Sequence, residues 1–458
     1  MQPKTTTDHS EANTLYIDSS VFHRLSSSVS SCIHAQTSQS IKRRRIHRPM
    51  HKLDTLSDAV RGFTPAWFTA TMGTGITAVL LYAFPYSCAP LRYIGMAIAL
   101  LNLVLYVLFS ALFAWRLVRY RDFYSILLHP QMSMALGAIP MGLCTIIIAV
   151  VDMITPYGAP WVPTLALVLW CVVIALSVLS FLAIPSIVIS HQKHTLDSIS
   201  AILLLPVVPT VVAASTGAVV CSVHSGNPAT AILMISYMLW AMGLGLSMML
   251  LAIYLVRLIL FKLPPKEAIA SVFIPLGPLG QSSYGIQILG AQSLRIFPST
   301  LPHIAYLGNV LYDVGFFFGM LIWSLAIWWF LHAVYSIIYT RVHGKVPFNL
   351  GWWALIFPIG TFASSSNSLW TITGYMFFRV LTAILNSGIF ALWLLIVGNT
   401  IRYAWTGELL KPAAISQLEL DDKTEDGISE EQLYDDSNRA NVDNGGNTNK
   451  QQQTHQQV

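Results

Sequence analysis

The sequence predicts an all-α membrane protein: ten transmembrane helices in five helical hairpins, the odd-numbered helices inside and the even-numbered ones outside. Three observations carry this. Of 458 residues, 54% are apolar and only 10% charged, with a mean hydropathy of +0.60, whereas a soluble domain carries about 25% charge. Ten apolar runs follow one another between Phe63 and Arg402. Proline and glycine then recur in every second run.

The segment before the first run, residues 1–60, is rich in Ser and Thr and lacks the apolar stretch of a signal peptide. It closes on the basic cluster Lys42, Arg43, Arg44, Arg45, Arg48 and Lys52, which suits a cytoplasmic tail beside anionic lipid. Residues 61–405 form the transmembrane domain. Residues 406–458 are rich in Asp, Glu, Gln and Asn, a composition that predicts disorder.

A spanning helix needs about 20 mostly apolar residues. The runs lie near 63–84, 91–115, 131–154, 163–189, 198–222, 229–256, 268–292, 304–333, 350–372 and 376–401. In lipid each must satisfy its own backbone, so each is read as a helix. Lys and Arg fix the orientation. The N-terminal segment and the links after the even runs (Arg116, Lys193, Arg257, Arg341 and Arg402 among them) hold 20, apart from three in the distal C-terminal tail. The opposite side has only Arg92, Arg295 and Arg379. The positive-inside rule therefore puts both termini in the cytoplasm.

The odd runs carry Pro65, Pro140, Pro206 with Pro209, Pro275 with Pro278, and Pro358 deep in their sequence, with glycines close by. Taking Pro65, Pro140, Pro206, Pro275 and Pro358, the spacings are 75, 66, 69 and 83 residues, a loose hairpin repeat used five times. Proline removes a backbone donor and kinks a helix, and such backbone in a membrane belongs inside protein or beside water. The same runs are rich in hydroxyls, such as Thr74, Thr210 and Thr361. The odd helices are thus expected to surround a polar interior.

That interior is almost free of acids. Between 63 and 402 only Asp122, Asp152, Asp197, Glu267 and Asp313 occur, and four of these fall at or near run ends. A cation path would place Asp or Glu in its bore; hydroxyls, amides and loosened N–H groups suit an anion. Asp313 lies within the eighth run and is the candidate for proton coupling, since an intramembrane acid is a functional suspect by default. Five scattered cysteines form no C-x-x-C pair, and thirteen histidines show no ligand spacing. No metal, cofactor or nucleic-acid partner is expected, and nothing resembles an enzyme's catalytic cluster. A receptor or structural membrane protein is the non-transport alternative.

Four motifs then carry a resemblance: FTPAWFTATMGTGI (Phe63–Ile76), HPQMSMALGAIPMGLCTII (His129–Ile147), PLGPLGQSSYGIQILG (Pro275–Gly290) and FNLGWWALIFPIGTFA (Phe348–Ala363). Together, in this order, they resemble the tellurite-resistance/dicarboxylate transporter family, which includes slow anion channels, and most of all its fungal sulfite efflux branch. The resemblance covers roughly residues 60–405. It implies a quasi-five-fold ring of hairpins, a central pore lined by the odd helices, a homotrimer in the plasma membrane, and sulfite as the exported anion. A malate or other C4-dicarboxylate carrier is the alternative within the family. It also implies a pore gate at Phe357, with Phe362 as the nearby rival. The expected lining is Thr74, Pro140, Thr210, Pro275, Gln281, Pro358 and Thr361.

Overall fold

The computed structural model describes Val60, residues 62–86 and residues 88–405. The N-terminal basic cluster and the two expected tails, Val60 apart, lie outside the described residues. Among those described, regular structure is helical throughout.

Ten helices of 15 residues or more succeed one another: α1 Phe68–Tyr82, α2 Ala89–Tyr120, α3 Ala138–Ile154, α4 Val162–His191, α5 Val208–Ser222, α6 Gly226–Phe261, α7 Leu276–Thr300, α8 Leu307–Val342, α9 Trp353–Thr373 and α10 Met376–Trp405. Each apolar run of the sequence holds one of them. The odd helices have 15, 17, 15, 25 and 21 residues. The even ones have 32, 30, 36, 36 and 30.

The shortness of the odd helices has one repeated cause. Each is led in by a further helical turn, Pro65–Trp67, Met132–Ala135, Ala201–Leu204, Ile269–Phe273 or Leu350–Trp352, the first and last running straight into α1 and α9. The prolines are concentrated at these breaks. Pro209 falls in the first turn of α5, Pro275 caps α7, and Pro140 and Pro278 stand third in α3 and α7. A first-turn N–H has no intrahelical acceptor, so a proline there removes nothing. Pro358 sits further in, as the sixth residue of α9, and Pro298 lies near the end of α7. Most of these prolines thus stand at or near the starts of the odd helices.

Six helical segments are long and apolar enough to cross a membrane: α2, Met132–Tyr157 (which contains α3), α4, α6, α8 and α10. The expectation of ten such spans is met for these six. Helices α1 and α5 have only 15 residues each. Helices α7 and α9 are longer but carry Gln281, Ser282, Ser283 and Gln287, or Thr361 and Ser364 to Ser366, which lowers their apolarity.

Burial separates the two classes. In its most apolar window α2 is 17% buried, α4, α6 and α8 are 28% buried and α10 is 33% buried, against 72% for Met132–Tyr157. The outer faces of the even helices expose Leu100, Val107, Leu179, Met249, Leu331 and Leu395, a surface that only lipid or another protein would cover. Thirteen of the fifteen residues of α1 are buried. Within the protein each odd helix packs on its own hairpin partner and on the next odd helix: α1 on α3, α3 on α5, α5 on α7, α7 on α9, and α9 back on α1.

Close approach between odd helices depends on missing side chains. A Cβ on Gly280 of α7 would lie 2.6 Å from the backbone N of Phe362 and 2.9 Å from the backbone C of Thr361. Gly280→Ala is expected to force α7 from α9 and to cost about 1–3 kcal/mol, as overpacking does. A lowered midpoint of thermal unfolding in detergent would report it; an unchanged midpoint would mean the contact yields freely.

Polar groups then join the helices. Ser283 of α7 donates to the Gly319 carbonyl of α8 at 2.6 Å and lies 2.5 Å from Ser365 of α9, whose hydroxyl also accepts from Gln287 at 3.3 Å. Trp323 of α8 donates to Ser366 at 2.9 Å. Such bonds are worth about 0.6 kcal/mol each between membrane helices, so their contribution is mainly to register.

Candidate functional site

A candidate conduit follows from which face of each odd helix its neighbours leave free. On α1, Gly73 lies against Trp353 and Ile356 of α9, while Thr71 Oγ1 lies against Gly142 of α3. Met72 is about 100° from both around the helix and turns between them. On α5, Ser215 meets Gln281 of α7 and Thr216 meets Cys144 of α3; Val212 and Val219 fall between. On α9, Gly360 abuts Ile76 of α1, and Thr361 and Ser365 meet α7. Phe357 and Ser364 occupy the intervening face.

Every odd helix carries a row on this face at spacing i, i+4, i+7, i+11, which keeps one side of a helix. The rows are Met72, Ile76, Val79, Ala83; Met141, Thr145, Ile148, Asp152; Val208, Val212, Ser215, Val219; Gly277, Gln281, Tyr284, Ile288; and Phe357, Thr361, Ser364, Ser368. Their first members are buried, with Phe357 3% exposed, Met72 2% and Met141 1%. Their last members are not: Ala83 and Asp152 are exposed, and Val219, Ile288 and Ser368 are half-buried. The rows therefore close near Phe357 and open toward the C-terminal ends of the helices.

The closed level is apolar. Phe357 shares it with Met72, Met141 and Val208, and the row of α7 contributes only Gly277 there. Beside Gly277 only Pro358 comes within 4 Å of where a Cβ would stand, which leaves space on that side of the closure. Among the described residues Phe357 has no aromatic partner, whereas Phe362 stacks on Trp323 at 5.7 Å and Phe330 at 5.6 Å of α8. Phe362 is held by the outer helix.

The expected lining residues divide. Gln281 hydrogen-bonds Ser215 between α7 and α5. Thr361 donates to the carbonyls of Pro358 at 2.8 Å and Gly277 at 3.3 Å, and Pro358 packs beside Gly277. These three lie at or between the inward faces. The other four turn outward. Thr74 accepts from Trp393 of α10 at 3.1 Å. Thr210 donates to Val207 and packs against Gly243 of α6. Pro140 lines a crevice with Leu176, Leu179 and Ser180 of α4, and Pro275 is the buried cap of α7. Near the helix starts, Thr71 and Thr210 bond carbonyls of the preceding turn, Phe68 and Val207. Asp313 is exposed on α8, away from the five rows.

Sequence reasoning does not place Met72, Met141, Tyr284 or Asp152 at the lining. The signal for them was the repeated 4-3-4 spacing, legible only once Phe357, Gly277 and Met141 are placed at a common level. No group of three metal-binding side chains occurs among the described residues.

A sequence model described as voltage-dependent anion channel matches residues 62–401. A sulfite efflux pump of Arthroderma benhamiae is 35% identical over 355 residues, covering 77% of this chain and 94% of its own. One from Trichophyton rubrum gives the same figures. A malic acid transport protein of Schizosaccharomyces pombe is 22% identical over 370 residues, covering 78% of this chain and 82% of its own.

Proposed function

This chain belongs to the voltage-dependent anion channel family, and from that premise we propose that it exports sulfite across the plasma membrane through a pore gated by Phe357. The ten helices form a quasi-five-fold ring in this reading, with α1, α3, α5, α7 and α9 around the pore and both termini in the cytoplasm. The observation that carries it is the set of five inward rows, which close on apolar side chains at Phe357 and carry no Lys or Arg up to their open ends. An apolar constriction excludes water until its side chain swings aside. Above it, Gln281, Thr361 and Ser364 are neutral, so an anion is not trapped by a fixed cation.

Sulfite is favoured over malate by the relatives, 35% identity against 22%. A homotrimer with one pore per subunit belongs to the same proposal and rests on family resemblance alone. Asp313 stays a candidate for proton coupling, yet export needs none. An interior-negative potential drives an anion outward by roughly 2.3 kcal/mol per charge per 100 mV.

The test is sulfite flux from liposomes holding the purified chain, with the potential clamped by potassium and valinomycin. Efflux should rise steeply as the lumen is made negative and should exceed malate efflux under the same potential. Flux indifferent to potential would remove the voltage-driven mechanism, and faster malate flux would transfer the substrate assignment.

A further inference from the structure

Asp152 has no part in the closure at Phe357, yet it is the one acid in the five inward rows. It ends the row of α3. Its side chain is exposed at the open end of the rows. A solvated charge acts over roughly 8–10 Å in physiological salt, so the field of Asp152 reaches an anion entering at the ends of the rows. Its carboxylate has no ion pair and no hydrogen-bond donor among the described residues. The other row ends offer nothing to neutralise it: Ala83, Val219, Ile288 and Ser368.

We propose that Asp152 is a specificity-determining residue that makes the wide mouth of the pore prefer monoanions over dianions. The inference rests on the pore reading above. A fixed negative charge repels every anion passing it, but a dianion twice as strongly as a monoanion at the same distance. The discrimination equals that second increment of repulsion. For sulfite, which exists near neutral pH as a mixture of dianion and hydrogensulfite, the transported species is then hydrogensulfite.

The experiment compares nitrate and sulfate permeation through the full chain in liposomes, for wild type, Asp152→Asn, Asp152→Ser and Asp152→Glu. The nitrate-to-sulfate ratio should fall about tenfold in the Asn and Ser variants, equal to about 1.4 kcal/mol, and stay unchanged in the Glu variant. The difference should shrink at high ionic strength, because a solvated charge is screened. Retained passage of both anions with an unaltered ratio in the Asn and Ser variants would overturn the proposal. So would a Glu variant that shifts the ratio as much as Asn does, since that is a packing effect. A wild type that passes neither anion would overturn the pore reading itself, and this inference with it.

Discussion

Phe357→Ala should raise anion flux by about tenfold or more, because each 1.4 kcal/mol taken from a barrier multiplies a rate by ten and the side chain removed is the largest group at the apolar closure. The expected readout is sulfite flux in liposomes at fixed potential, with Phe357→Leu between wild type and Ala. The competing outcome is distinct. If Phe357 merely packs the protein, its truncation leaves a cavity that costs about 3–5 kcal/mol. Thermal stability would then fall with no gain in flux. The geometry argues for the first outcome, since Gly277 leaves the ring space and, among the described residues, no aromatic side chain holds it, unlike Phe362. Phe362→Ala accordingly should lower stability and leave the closure intact.

Arg116→Met is expected to destabilise the protein by about 3–5 kcal/mol, as breaking a buried ion pair from one side does. Arg116 is 1% exposed near the C-terminal end of α2. It grips Asp122 Oδ2 with Nη2 at 2.7 Å and Nε at 3.1 Å, and donates Nη1 to the Phe63 carbonyl at 2.6 Å. This fork fixes the end of α2 to the chain entering α1, where Phe63, Trp67 and Phe68 cluster round Phe109. Removal of the guanidinium strands a carboxylate that has little solvent. The melting temperature of the detergent-solubilised protein should drop sharply, and Arg116→Met with Asp122→Leu should recover most of the loss. Equal instability of single and double variants would show that the carbonyl contact, rather than the charge pair, holds the joint.

Much of the fold is legible in the sequence because lipid imposes a plain rule: apolar length means helix. The ten runs each hold one helix, and the alternation of Pro65, Pro140, Pro206, Pro275 and Pro358 marks the helices that the structure buries. What composition cannot convey is rotation about a helix axis. Thr74 and Met72 are two residues apart, yet one bonds Trp393 on α10 and the other faces inward. The hydroxyls were read as an interior lining because they are polar, while several serve the broken turns beneath them. The cost of a proline depends on its position within the helix, which a list of runs does not give. Asp152 is visible as one of five acids; what distinguishes it is its place at the end of the inward row of α3, a property of the assembled helices.

The difference in helix length has a mechanical consequence. The odd helices α1 and α5, with 15 residues each, rise only about 22 Å at 1.5 Å per residue, less than the ~30 Å hydrocarbon layer. The even helices, at 30–36 residues, rise about 45–54 Å. Hydrophobic mismatch is therefore met by the even helices alone, which accommodate a thinner or thicker bilayer by tilting. The short helices, bound to one another by glycine contacts and hydroxyls, keep their mutual spacing while their surroundings lean, so bilayer thickness is absorbed by the shell and insulated from the centre.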